Sequence, residues 1–466
     1  MQDIDNAVVQ LFVQNSLFNW LEPYKSPKQM SATGTAFFID DQGHLLTNYH
    51  VISEASGIQL QMQLFGKQRF DVTVVGAYPE RDIALLRMAP EGIAEIINQL
   101  GSVPFLSFGD SDQLERAQEI ACLGYPLGQE TLKITQGIVS GYQEFNSDFF
   151  LQVTAALNPG SSGGPALDSK NQVIGINTAI IPDAQNIGYL LPVNDIKHIV
   201  DSLRTNKLIR RPFLGCDVNY ATADMVSFLN NPEPGGIYVS KVYEQSNFYD
   251  AGILAGDMLY AINEYELDLY GETTLSTASG KIPFTSLIQR FALGQDITIK
   301  LCRKGRMLDV KFPLVCHDLL PVRLVFPEFE PVDYEIIAGM VFMELTLNHV
   351  ARFEERKPEF SCFRKRSHQY KSVLIVSHVF QNSLTQKARI INDADCIVLI
   401  NNNPVQTLGQ LRSAVRASSD YFSIQTTEGK CMVLSLAKII ADEEELAAQY
   451  FYTISPLVDV MRKHLA

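Results

Sequence analysis

The chain has 466 residues, 46% hydrophobic and 19% charged, too long for one core and apolar enough for about three packed domains. A formal net charge of −14 excludes the basic surface that a polyanion needs, so no nucleic-acid partner is expected. Seven dispersed cysteines without a C-x-x-C pair support neither a disulfide framework nor a metal site, and no run reaches the length of a membrane span. With no signal segment at the start, these features predict a soluble protein of a cytoplasmic or other reducing compartment, the periplasm being the alternative if a leader has been removed.

Residues 7–13 form a short β-type run. The polar, aromatic-dotted segment 14–32, which holds the single tryptophan Trp20, has no sustained period and reads as a long loop. Residues 35–39 and 44–47 flank the turn Asp40 to Gly43. Short apolar runs follow at 59–64, 70–77, 83–88, 120–124, 134–140, 149–153, 173–180 and 187–191, broken by Gly, Pro and Asn as in barrels or sandwiches. The first regular helix is expected at 194–205, after Pro192 and with Asp195 in its first turn. A two-barrel domain ending near residue 208 accommodates all of these.

Within that domain the stretch 158–165, NPGSSGGP, points to nucleophilic chemistry. A serine hydroxyl needs a base, a group that orients the base, and donors for the oxyanion. Gly160, Gly163 and Gly164 permit a tight turn around Ser162 that aims the N–H groups of Gly160 and Ser162 at one point. The pattern G-x-S-x-G also fits the nucleophile elbow of an α/β-hydrolase, which places its acid and histidine after the serine. Here His50, in LLTNYHVI, and Asp82, in RDIALLRM, both precede Ser162. The order His, Asp, Ser selects the double-barrel arrangement.

TNYHVI, DIALLR and NPGSSGGP followed by VIGINTA resemble the Deg (HtrA) family of trypsin-like serine proteases. The resemblance implies a mainly β fold with some α, a chymotrypsin-like double β-barrel followed by two PDZ-like domains, with boundaries at 1–208, 209–318, 330–438 and a helical extension 439–466. It implies ATP-independent endoproteolysis of unfolded or damaged proteins by His50, Asp82 and Ser162, without metal or cofactor. The alternative is a PDZ-containing chaperone or binding scaffold with little turnover. The substrate pocket would draw on Thr154, Ala155, Leu157, Ile176, Asn177, Thr178 and Ala179. With no negative charge placed there, cleavage after small aliphatic residues is expected. In this family an insertion at 14–32 can reach a neighbouring subunit or cover the active site, and assembly is expected as a homo-oligomer built on trimers. Ser161 and Thr154 depart from the family's usual asparagine and aspartate.

From Arg210 a new module opens. RRPFLG, GGIYVSKV and AGILAGDMLYAIN match a PDZ domain, with Phe213, Leu214 and Gly215 as the loop that would hold a peptide carboxylate. Residues 319–331 read as a proline-punctuated linker. A second PDZ-like module follows with an insertion at 348–371, a helix at 408–417 and no clear carboxylate loop, Gly339 being the nearest candidate. Helices at 443–449 and 457–465 close the chain, whose features are closest in character to the plant organellar and nuclear branch.

Overall fold

A short run with alternating apolar residues has one face to bury, and six such strands closed on themselves leave no unpaired edge. The first part of the chain does this twice. The computed structural model describes residues 2–145, 148–178, 187–276, 280–416 and 420–465. Strands β1 (Val8–Leu17), β2 (Lys28–Phe38), β3 (His44–Thr47), β4 (Ala55–Gln61), β5 (Arg69–Tyr78) and β6 (Ile83–Met88) close in the order β1-β2-β3-β6-β5-β4. Strands β7 (Glu119–Gly124), β8 (Lys133–Phe145), β9 (Asp148–Val153), β10 (Pro165–Leu167), β11 (Val173–Thr178) and β12 (Gly188–Pro192) close in the order β10-β11-β12-β9-β8-β7. Phe37, Leu46, Leu85, Leu123, Tyr125, Ile176 and Leu191, from both barrels, share one buried cluster. The predicted fold class is the one observed.

Three expectations for this region change. Residues 14–32 are not one loop, because β1 continues to Leu17 and β2 begins at Lys28. A helix at Pro90–Leu100 precedes the one expected as first. It starts with Pro at its first position and ends at Gly101, whose φ of 85° lets its N–H reach the Ile97 carbonyl. The helix expected over 194–205 is two short ones, Asn194–Lys197 and Val200–Thr205, with Ile199 at φ −102° between them.

By contacts the chain divides into two units, Met1–Asn15 with Ser31–Asp318, and Ser16–Met30 with Leu319–Ala466. The first unit holds both barrels and the first PDZ-like module. That module is a sheet in the order Cys216–Tyr220, Ile237–Val242, Met258–Ile262, Asp296–Arg303, Arg306–Pro313, with Cys216–Tyr220 at one edge. Val239, Phe248, Leu259, Leu287 and Ile299 fill its core, so the helices Asn247–Asp250 and Phe284–Ile288 pack on the sheet.

The second unit has a sheet in the order Glu335–Ile337, Met340–Glu344, Leu374–Val379, Cys396–Ile400, Tyr421–Thr426, Cys431–Ser435. Its longest helices among the described residues are Leu408–Arg416, Leu436–Tyr450 and Pro456–Leu465, so the penultimate helix starts seven residues before the expected position. The expected linker is not free chain, since Val322 and Val325 are buried in this unit. The expected insertion forms the helix Leu347–Phe353 and a 3-10 turn at Pro358–Arg364. Trp20, expected in a long loop, is only 2% exposed here, with Phe18, Leu21 and Tyr24 packed around the same core. His349 Nδ1 accepts from the Thr346 N–H at 3.1 Å, so the ring donates from Nε2 to the Trp20 carbonyl at 3.0 Å. Burial pushes that imidazole down to about 3, in keeping with a neutral ring. The Ser377 hydroxyl donates to the Leu21 carbonyl at 3.0 Å.

Candidate active site

β3 and β6 are neighbours, with Thr47 opposite Ala84. His50 lies just beyond the end of β3, on the short helix Tyr49–Ile52, and Asp82 just before the start of β6, so the pairing delivers both to one end of the barrel. Asp82 closes the turn Pro79–Arg81 in the left-handed region, φ 55°. Its Oδ2 accepts from His50 Nδ1 at 2.8 Å and its Oδ1 from the His50 backbone N–H at 2.8 Å. The Asp82 carbonyl accepts from Asn48 Nδ2 at 3.0 Å. With the proton held on Nδ1, the Nε2 lone pair of a half-exposed ring is left to act as a base.

Ser162 belongs to the other barrel, on the turn between β9 and β10. Its surroundings demand glycine at two positions. Gly160 has φ 96°, and a Cβ there would lie 2.5 Å from the Tyr125 carbonyl. Gly163 has φ 86°, and a Cβ would lie 2.1 Å from the Thr35 carbonyl. Thr35 of β2 pins the turn from the first barrel. Its N–H donates to the Ser162 carbonyl at 2.9 Å and its hydroxyl to the Gly160 carbonyl at 2.7 Å. Among the described residues the N–H groups of Gly160 and Ser162 donate to no protein group, which leaves both for an oxyanion. No hydrogen bond closes between the Ser162 hydroxyl and His50 in this structure.

The residues expected to line the pocket go to several places. Thr178 donates its hydroxyl to Asp82 Oδ2 at 3.2 Å and so orients the acid. Asn177 is buried, with Nδ2 on the Leu123 carbonyl at 2.9 Å. Ile176 and Ala155 are fully buried in core clusters. The Thr154 hydroxyl accepts from the Ile138 N–H of β8 at 2.9 Å. Leu157 is half-buried and meets Gly188, while Ala179 lies outside the described residues. Thr35, and Thr178 as a partner of Asp82, were missed by sequence reasoning. A threonine beside an apolar run carries no local mark of such a role.

In the first PDZ-like module the loop at Phe213, Leu214 and Gly215 turns its carbonyls inward. Phe213 O accepts from Asn247 Nδ2 at 3.0 Å, Leu214 O from the Phe248 N–H at 2.9 Å, and Gly215 O from the Tyr243 N–H at 2.8 Å. A trans peptide points its N–H opposite its carbonyl, so the Leu214 and Gly215 N–H groups face away from the core.

Residues 34–176 match the trypsin-like peptidase domain family, and residues 328–454 match the PDZ domain family. A relative described as a probable periplasmic serine endoprotease DegP-like, from Chlamydia trachomatis, is 30% identical over 293 residues, covering 61% of this chain and 54% of that protein. A protein of the same description from Hahella chejuensis is 25% identical over 403 residues, covering 84% and 77%. The chain thus spans about half the length of the first of these relatives. Among solved structures, the HtrA-type protease AlgW with a tripeptide aligns at TM-score 0.50 and 25% identity, covering 67% of this chain and 95% of that one. The expectation of a cytoplasmic or reducing compartment is overturned, because these relatives are named periplasmic. Among the described residues no helix is long and apolar enough to cross a membrane. In domain content, in the order of the chain and in fold, this protein is similar to the Deg/HtrA serine proteases.

Proposed function

We propose that the chain is an ATP-independent serine endopeptidase that cleaves unfolded or damaged polypeptides. The observation that carries this reading is the His50–Asp82 bond of 2.8 Å on one barrel, together with a glycine-framed Ser162 on the other whose neighbour Gly163 packs against Thr47 at the end of β3. As Ser162 Oγ attacks the scissile carbonyl, its proton passes to His50 Nε2. Asp82, itself held by Thr178, stabilises the imidazolium and keeps Nδ1–H in place. The Gly160 and Ser162 N–H groups receive the oxyanion. The imidazolium then protonates the departing amine, and water repeats the sequence on the acyl-enzyme.

Cleavage after small aliphatic residues is part of the proposal, supported by the absence of charged side chains along 154–157 and 176–178. Assembly on trimers is part of the proposal, and light scattering that finds only a 52.0 kDa species at micromolar concentration would remove it. For the chemistry, a fluorophosphonate probe should label the wild type and not Ser162→Ala, and casein cleavage should vanish in that variant with folding intact. Asp82→Asn should lower kcat by about 10⁴-fold through the wrong histidine tautomer. Undiminished cleavage by Ser162→Ala would sink the reading.

A further inference from the structure

The residue that precedes the catalytic aspartate is a buried arginine. Arg81 has a side chain only 3% exposed, between Asp148 of β9 at 2.9 Å and Asp195 on the helix Asn194–Lys197. Both carboxylates belong to the second barrel. The turn that presents Asp82 is therefore tied to the barrel that carries Ser162, and this tie bears on how the two halves of the catalytic group align.

The tie does not end within the barrels. Asp195 Oδ1 lies 2.8 Å from Nε of Arg290, a side chain 12% exposed that follows the helix Phe284–Ile288 of the first PDZ-like module. Arg290 Nη1 reaches Asp112 Oδ2 at 2.8 Å. Arg211, at the entry to the same module, pairs with Asp148 at 2.8 Å. Three carboxylates, Asp112, Asp148 and Asp195, thus face three guanidinium groups, Arg81, Arg211 and Arg290. Loss of one partner from a buried set leaves an uncompensated charge that the others must move to meet. Without Arg290, Asp195 and Asp112 lose a shared cation. Arg81, already bonded to Asp195 Oδ2, is then left as its partner, and a readjustment of that pair acts on the residue one peptide bond from Asp82.

We infer that Arg290 of the first PDZ-like module is a positioning residue for the His50–Asp82 pair, acting through Asp195 and Arg81. The inference rests on the serine-protease reading. The catalytic constellation is then complete only with a side chain from outside the two barrels.

The test uses the full chain with Arg290→Met and Arg290→Lys, a short chromogenic peptide, and titration of active sites with a fluorophosphonate. In Arg290→Met, kcat per titrated site should fall by roughly 10- to 100-fold, the effect of a sub-ångström to 1 Å misplacement, with KM within about twofold. The acidic limb of its kcat/KM profile should move to lower pH, because a poorly aligned Asp82 stabilises the His50 imidazolium less. Arg290→Lys should recover most of both. A purely structural role would lower the thermal midpoint and the titratable fraction and leave kcat per site and the pH limb at wild-type values, and that result overturns the inference. If Arg290→Met does not fold, Asp112→Asn removes only the outer partner and should shift kcat per site and the pH limb in the same direction to a smaller extent. An unchanged kcat per site in that variant also overturns it. Wild-type protein that neither labels nor cleaves would overturn the protease reading and this inference with it, whereas an active wild type matched by Arg290→Met overturns this inference alone.

Discussion

The two PDZ-like modules treat the same strand differently. In the first, Cys216–Tyr220 follows the loop at Phe213 to Gly215 and stands at the edge of its sheet, paired on one side with Ile237–Val242. In the second, Met340–Glu344 follows the Ala338–Gly339 turn, and the chain has already laid Glu335–Ile337 against its outer side. That added strand is clamped from the helix Leu408–Arg416. Arg412 Nε reaches Glu335 at 2.7 Å, its Nη groups grip Asp333 at 2.7 and 2.8 Å, and Nη2 also donates to the Tyr334 carbonyl at 3.1 Å. A strand edge is a template for an incoming peptide only while it is unpaired. The first module keeps such an edge, and the second spends its own on itself and builds its core partly from residues 16–30. One edge strand has a neighbour on a single side, and its counterpart has neighbours on both.

The most damaging way to probe that contrast is Trp20→Ala, which empties a buried site in the second unit and should destabilise it by about 3–5 kcal/mol. Hydrogen exchange should show the loss in residues 319–466 and far less in the first module. For the same reason, deletion of residues 330–466 strands Phe18, Trp20, Leu21 and Tyr24 without their core and is no clean test of the protease.

A second probe is pH. Burial pushes the Glu443 carboxyl up to about 7, the Tyr452 hydroxyl at 2.8 Å working against this and Asp442 and Glu335 adding to it. The folded unit therefore keeps a proton that the unfolded chain has lost. The contribution is full below the ordinary value of 4.5 and disappears as pH climbs through 7. Denaturant titrations should show the second unit losing up to ~3 kcal/mol over that range, and Glu443→Gln should flatten the slope.

A smaller effect is expected from Arg412→Ala, about 1–3 kcal/mol for the lost charge-assisted bonds. It should also raise exchange at Glu335–Ile337. If that strand stayed fully protected, the clamp would not be what closes the edge. Smallest in energy is Phe213→Asp, which should slow cleavage of a protein substrate several-fold and leave a short peptide untouched. Equal effects on both substrates would end the view of the first module as the one that engages chains.

How much of this was legible depended on whether a residue's constraint was local. The glycines around Ser162 are dictated by positive φ and backbone contacts within a few ångströms, so NPGSSGGP displays its geometry in its letters. His50 and Asp82 were legible because each is framed by an apolar run that becomes a strand. Thr178, Thr35 and Arg290 were not, since their partners lie 96, 125 and 178 residues away. The helix Pro90–Leu100 had its start and stop signals in Pro90 and Gly101, but its buried stripe is only Gly92 and Ile96, too narrow to show as a period. Trp20 looked like a loop residue for an opposite reason, because most of the core that buries it is drawn from residues 322–452.

That last feature sets a schedule for synthesis. The aromatic segment 16–30 is made before the rest of its core, which begins about 290 residues later. At roughly 5–20 residues per second, Phe18, Trp20, Leu21 and Tyr24 wait tens of seconds without a home while the barrels can already close. During that interval the nascent chain presents an apolar hairpin tip to whatever is near, and a chaperone or a protease that reads exposed aromatics would meet it there. Completion of this core thus waits on the segment that begins at residue 319, and a chain released before that segment is made leaves the aromatic side chains without their partners.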